Sequence, residues 1–101
     1  MRKRTQKRAA ARDAVKLAKD RVRLAALEEG GSSSRPIWVV SASLVEPTAL
    51  GLGCAACGGP LRLQEHEAKP FGAQLLRVVH AGCIDCGHRR TVYIGLRDPL
   101  N

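Results

Sequence analysis

The chain has 101 residues, with 17 Lys or Arg against nine Asp or Glu and a formal net charge of +8. This length allows one domain at most. One Trp, one Tyr and one Phe exclude an aromatic-rich core, so a metal or disulfides must supply part of the stability. No segment approaches the ~20 consecutive apolar residues of a membrane span.

The excess positive charge is concentrated near the N-terminus. Residues 1–29 contain ten Lys or Arg against four Asp or Glu, whereas residues 30–101 contain seven against five. Such a basic arm is typical of proteins that contact polyanions, nucleic acid above all. Charges such as Asp13 and Asp20 interrupt every apolar run that a signal peptide would need. We expect a cytoplasmic protein, with an Arg-rich mitochondrial transit peptide as the alternative.

Residues 1–30 are predicted to form one basic amphipathic helix, because Ala, Leu, Arg, Lys and Glu dominate them and a Gly-Gly pair follows. At about 100° per residue, Val15 and Val22 share an apolar side, while Lys and Arg residues form a line elsewhere on the surface. Seven residues are candidates for contact with nucleic-acid phosphates: Arg8, Arg12, Lys16, Lys19, Arg23, Arg89 and Arg90. A solvated face opposite a packed apolar face is the alternative interpretation.

The segment after this helix changes character. Residues 31–36 are polar and rich in turn residues, which indicates a linker or loop. The β-branched run Ile37–Leu44, ended by Pro47, predicts a strand. Trp38 and Tyr93 are expected in the core, and His66 is expected to be a solvated residue of a hairpin. Three further strands are predicted at 61–66, 74–81 and 90–96, with a connecting loop at 67–72.

Two Cys-x-x-Cys-Gly motifs, Cys54–Gly58 and Cys83–Gly87, dominate the second half of the chain. Zinc prefers a tetrahedron of soft or borderline ligands, and each tight turn can supply two thiolates. A glycine after the second cysteine permits the backbone conformation that closes such a turn. The predicted ligands of one structural Zn²⁺ are Cys54, Cys57, Cys83 and Cys86.

Other interpretations of these cysteines stay open. Two disulfides would require an oxidising compartment. A thioredoxin-type redox pair would require a βαβ context that neither motif has. Iron in place of zinc is a further alternative, since rubredoxins resemble this chain in having two such knuckles. His80 or His88, which lie close in sequence to Cys83 and Cys86, could replace one thiolate as a ligand.

The two knuckles and the intervening residues, about 52–97, resemble a zinc ribbon. The resemblance implies that one Zn²⁺ is clamped at the end of a three-stranded antiparallel sheet, to which 37–44 adds an edge. The spacing is similar to that of the ribbons of transcription elongation factors, which carry an adjacent Asp-Glu pair on the hairpin. This chain has Glu65 and Glu67 separated by His66, so the resemblance does not extend to transcript cleavage.

These observations predict a small α+β protein of three parts: a basic amphipathic helix at 1–30, a linker at 31–36, and a zinc ribbon with a preceding strand at 37–98. A site closed by four cysteines lacks the open position of catalytic zinc, so we expect no enzymatic activity. The leading hypothesis is a protein associated with nucleic acid or ribonucleoprotein, with no membrane or small-molecule partner. The alternatives are a protein–protein adaptor that uses a Val15, Val22 and Leu24 face and the ribbon edge, and a rubredoxin-like iron electron carrier.

Overall fold

A computed structural model describes residues 2–97, with side chains described from Gln6 onward. The predicted bounds at Met1 and Asp98 lie outside this range. The elements in chain order are α1 (Arg2–Leu27), β1 (Ile37–Val39), a 3₁₀ turn (Ala42–Leu44), α2 (Val45–Gly51), β2 (Leu61–Phe71), β3 (Gln74–Cys83) and β4 (Arg89–Leu96).

The four strands form one sheet in the order β1-β4-β3-β2. The predicted α+β class and N-terminal helix are confirmed. The prediction of a wholly antiparallel sheet is wrong, because β1 pairs with β4 in parallel, with Ile37 opposite Ile94. The reason lies in the connection between β1 and β2. The chain passes through α2, which packs against the sheet, and a crossover of this kind allows two strands to run in the same direction.

The predicted strand at 37–44 is also wrong beyond Val39. The Ser41 side chain accepts a hydrogen bond from the Ser43 backbone amide, at 3.3 Å, and caps the 3₁₀ turn. Pro47, interpreted from the sequence as a strand terminator, is the third residue of α2. The first turn of a helix tolerates proline because its backbone amides have no intrahelical acceptor.

The predicted loop at 67–72 is strand instead. β2 continues to Phe71, and a two-residue turn at Gly72 and Ala73 connects it to β3. Gly72 has a φ of +62°, as the tight turns of hairpins require. Pro70 pairs with Leu75 and is tolerated because β2 is an edge strand, where a missing N–H costs no ladder bond.

A β-bulge decides which side chains of β2 face α2. The register shifts between Leu63, which pairs with Ala81, and Glu65, which pairs with His80. In a regular strand without the bulge at Gln64, alternation would place Glu65 on the side of Leu63. The bulge places His66 there instead, where its Nδ1 lies 2.7 Å from Glu46 Oε2 of α2. The expectation that His66 is a solvated hairpin residue is therefore wrong.

The core lies between α2 and one face of the sheet. Val45 and Ala49 of α2 pack with Val79 and Ile94 of the two central strands, and all four side chains are buried. Trp38, predicted in the core, is 40% exposed on the other face. Its ring lies over Gly95, with the Arg97 guanidinium 4.9 Å from the ring centroid.

The helix α1 joins the sheet through a hydrogen-bonded loop. The Gly30 amide donates to the Arg35 carbonyl (2.6 Å), and the Tyr93 amide of β4 donates to the Gly30 carbonyl (2.8 Å). The Arg35 guanidinium donates to the Leu27 carbonyl at the end of α1 (2.6 Å). Residues 31–36, predicted as a linker, thus hold the end of α1 against the edge of β4.

Candidate metal centre and basic surface

The two cysteine motifs fold into knuckles with the same backbone pattern. In the first, the Cys54 amide donates to the Gly59 carbonyl and the Gly58 amide donates back to the Cys54 carbonyl, both at 2.9 Å. The second knuckle repeats this pattern between Cys83 and His88, and between Gly87 and Cys83, at 2.9 and 3.0 Å. Equal spacing of the cysteines in the sequence thus gives two equivalent turns.

The glycines of the knuckles serve two different purposes. Gly58 and Gly87 have φ values of +78° and +79°, and nothing lies within 4 Å of an added Cβ. These two positions therefore require glycine for its backbone conformation, as the sequence predicted. Gly59 is limited by space, since an added Cβ would lie 3.2 Å from the sulfurs of Cys57 and Cys83.

The four thiols form one cluster. Their Sγ atoms all lie within 4.8 Å of one another, with 3.6 Å between Cys54 and Cys86 and 3.5 Å between Cys57 and Cys83. A tetrahedron with metal–sulfur bonds of ~2.3 Å has edges of about 3.8 Å, whereas a disulfide bond is ~2.05 Å long. The four cysteines could therefore bind one metal ion, for which zinc fits the donor set.

Backbone amides point at the sulfurs as well. Ala56 donates to Cys54 Sγ (3.3 Å), Gly59 donates to Cys57 Sγ (3.4 Å), and the Cys86 amide donates to Cys83 Sγ (3.4 Å). Hydrogen bonds to sulfur favour the thiolate over the thiol. The knuckle backbone thus supports the negative charge that a metal ligand must carry.

The thiols of the metal-free cluster differ in pKa. The Cys86 backbone amide is the main cause that lowers the pKa of Cys83 to about 7. The Gly59 amide lowers the pKa of Cys57, but hydrogen bonds with the thiols of Cys83 and Cys86 outweigh it and raise that pKa to about 12. The His88 amide lowers the pKa of Cys86, yet burial and the Cys54 thiol raise it overall. Four adjacent thiolates are thus unfavourable until a cation joins them.

The thiol cluster contains no histidine among the described residues. His80 lies on the sheet face, where its Nδ1 is 3.1 Å from Thr91 Oγ1 and its Nε2 is 3.8 Å from Glu67 Oε2. His88 follows the second knuckle and lines a groove beside α1. A site made of sulfur alone fits the closed Cys₄ set better than a mixed one.

Contacts between the two knuckles hold them in register. The Ile84 amide of the second knuckle donates to the Pro60 carbonyl after the first, at 3.0 Å. The Arg90 guanidinium donates to the Gly53 carbonyl at 2.9 Å. Arg90, a predicted phosphate contact, is thus engaged with the backbone, whereas the adjacent Arg89 is exposed.

The other predicted phosphate contacts lie on one side of α1. We define the basic stripe as five side chains, all of them exposed: Arg8, Arg12, Lys16, Lys19 and Arg23. At 100° per residue they occupy a sector of about 80°. Lys19 and Arg23 also line the groove that His88 borders, so the C-terminal end of the stripe lies beside the second knuckle.

Sequence reasoning missed a second polar cluster, which lies under α2. His66 is 17% exposed, with its Nδ1 bonded to Glu46 and its Nε2 3.5 Å from the Arg77 guanidinium. Glu46 belongs to a helix that the sequence did not predict, and His66 faces it because of the β-bulge. The only sequence signal for this cluster was Glu46, which directly precedes Pro47 in the first turn of α2.

No helix in the described part of the chain is long and apolar enough to cross a membrane. Comparison with family models, with curated proteins and with solved structures gives no significant match. The candidate function therefore depends on the site itself.

Proposed function

We propose that this chain is a small non-enzymatic protein of the zinc-ribbon type that associates with nucleic acid or ribonucleoprotein. Cys54, Cys57, Cys83 and Cys86 hold one structural Zn²⁺, and the basic stripe of α1 contacts phosphates. The distribution of charge carries this proposal. α1 alone has ten Lys or Arg against two Asp, a net of +8, while the rest of the chain has seven basic and seven acidic residues.

The metal has a structural part in this proposal. Bound by four thiolates, Zn²⁺ supplies a tetrahedral crosslink between the two knuckles and has no open coordination position. The Zn–thiolate centre carries a net −2, so the chain outside α1, with its metal, is negative overall and α1 remains the positive region. The thiolates require a reducing compartment such as the cytoplasm. Iron would fit the same sulfurs, so elemental analysis and the absence of colour distinguish zinc from an iron electron carrier.

The spacing of the basic stripe favours a polyanionic ligand. Arg8, Arg12 and Lys16 follow one another at i, i+4, the distance at which like charges on a helix destabilise it. The first turn of α1 contains no acidic residue, although the positive end of the helix dipole favours one. Phosphates along the stripe would relieve the repulsion between these like charges. Five such contacts would give a slope of log K against log salt of about −4 to −5 on duplex DNA.

The test compares two double variants of the zinc-loaded, full-length protein. Lys16→Glu/Lys19→Glu reverses two charges of the stripe, and Arg62→Glu/Lys69→Glu makes the same change of net charge at exposed positions of β2. Binding to a labelled DNA duplex and to RNA of the same sequence is measured from low to physiological salt. We expect the stripe variant to lose most of its affinity and about two units of salt slope.

The β2 variant should retain the slope of the unmodified protein. Equal losses in the two double variants would show that net charge alone governs binding and would contradict a role for the stripe. Absence of binding to either nucleic acid at low salt would eliminate the proposal. Retention of the metal in all variants, measured by elemental analysis, controls for folding.

A further inference from the structure

A groove of about 580 Å³ lies between α1 and the knuckles. Its apolar wall is formed mainly by α1, and Ala56 of the first knuckle also lines it. Val15, on this wall, is 56% exposed. The lining contains no acidic side chain. Three residues with basic side chains complete it: Lys19, Arg23 and His88. The lining of the groove thus combines apolar and basic side chains.

The apolar wall has the spacing of a coiled-coil seam. Val15, Ala18 and Val22 of this wall alternate at intervals of three and four residues with Ala25, which lines a smaller adjacent cavity. These four residues are here called the apolar seam: Val15, Ala18, Val22 and Ala25. In heptad notation the two valines occupy the a positions and the two alanines the d positions. The small alanines leave shallow holes between the valines, into which side chains of a second helix can pack at short interaxial distance.

The positions that flank this seam determine which helix can pack there. The e and g positions from residue 7 to residue 26 contain no acidic residue. They are four basic residues and two alanines: Lys7, Arg12, Ala14, Lys19, Arg21 and Ala26. Asp13 and Asp20 lie about 140–160° around the helix from Val15. Charges at e and g set partner choice. A second copy of this chain would place Lys and Arg against Lys and Arg, which disfavours self-association.

We infer that the apolar seam is a docking site for an acidic amphipathic helix of a protein partner. Leucine-like side chains of that helix pack on Val15 and Val22, and its Glu or Asp residues face Lys19 and Arg21. This surface differs from the basic stripe in its apolar seam, although Arg12, Lys19 and Arg23 belong to the stripe and also flank the seam or line the groove. The two ligands therefore compete for part of α1, although each depends on different residues.

The test uses a labelled 21-residue helical peptide with Leu at its a and d positions and Glu at e and g, and the zinc-loaded, full-length protein. We expect saturable binding that falls at least tenfold in Val15→Ser/Val22→Ser. The matched control is Leu17→Ser/Leu24→Ser, because these exposed leucines lie about 180–200° around α1 from Val15. The expectation that Leu24 shares a face with Val15 and Val22 is therefore wrong. The control should bind the peptide as the unmodified protein does, and Val15→Ser/Val22→Ser should still bind nucleic acid.

Three outcomes would overturn the inference. A peptide of the same composition with its leucines scattered would bind equally well if the attraction were electrostatic only. An equal loss of peptide affinity in Leu17→Ser/Leu24→Ser would show that the peptide binds no particular face of α1. A dimer of the chain, detected by sedimentation and abolished by Val15→Ser/Val22→Ser, would identify a second copy as the occupant.

Discussion

The sheet and α1 are stabilised in different ways. The sheet buries side chains such as Val79 and Ile94 completely and ends in a thiol cluster that could bind a metal, and the chain outside α1 carries balanced charge. In α1, by contrast, the side chains from Gln6 to Leu17 are exposed apart from Ala9, and the charge is +8. Buried side chains are thus concentrated in the sheet, whereas both proposed binding surfaces lie on α1, so that stability and binding should be separately alterable.

The largest effect is expected from loss of the metal site, which tests whether the folded sheet depends on a bound metal. Cys83→Ser, or a chelator added to the unmodified protein, should remove the metal and much of the folded sheet, since structural Zn²⁺ in comparable small sites contributes about 10–16 kcal/mol. Loss of amide chemical-shift dispersion measures this effect. Ala55→Ser in the first knuckle is the control. A sheet that stays folded without metal would contradict the prediction.

Lowering the pH should destabilise the sheet through the same thiol cluster. Metal-bound thiolates titrate below the pKa of unfolded cysteine, so their stabilisation is complete above that value and is lost as the pH falls. At pH 7 the raised pKa values of Cys57 and Cys86 keep both thiols protonated in the metal-free cluster. Metal binding should therefore release at least two protons, and affinity should change by about 100-fold or more per pH unit. Calorimetry in buffers of different ionisation enthalpy counts these protons, and fewer than two would refute the expectation.

The same substitution, leucine to alanine, should have different costs in the sheet and in α1. Leu76 in β3 is 1% exposed and Leu24 in α1 is 60% exposed. Leu76→Ala should lower the free energy of unfolding by about 2–5 kcal/mol, because it leaves a cavity. Leu24→Ala should change it by less than about 0.5 kcal/mol. Denaturant unfolding of the metal-loaded protein measures both values. Similar costs would mean that α1 is as tightly packed as the sheet.

The smallest effect is expected where α2 meets β2. Glu46→Gln keeps the shape of the side chain but removes the charged acceptor of His66 Nδ1. Because Glu46 is 43% exposed, the loss in unfolding free energy should be about 1 kcal/mol. Glu65→Gln on the opposite face is the control and should be nearly neutral. An equal cost for the two variants would argue against a specific Glu46–His66 contact.

Local sequence rules predicted the elements whose cause is local. The helix follows from composition and from the terminating Gly30, and the knuckle turns follow from cysteine and glycine spacing. The sequence did not predict α2, because Pro47 is compatible with the end of a strand as well as with the first turn of a helix. It also did not predict the parallel pairing of β1, which depends on where α2 returns the chain. The position of His66 depends on a bulge opposite Ala81 and His80, and no local pattern specifies that register.

Gly30 holds α1 in a fixed orientation relative to the sheet. Its carbonyl is bonded to Tyr93, and an added Cβ would lie 2.7 Å from Ile37 Cδ1, so the chain leaves the sheet edge in a fixed direction. A helix of 26 residues is about 39 Å long. A ligand held near Arg8 is therefore kept at a set distance and orientation from the metal end. The distance between a ligand bound near Arg8 and the metal end of the sheet is then set by the fold. Lengthening α1 by whole turns would change this distance in steps of about 5.4 Å.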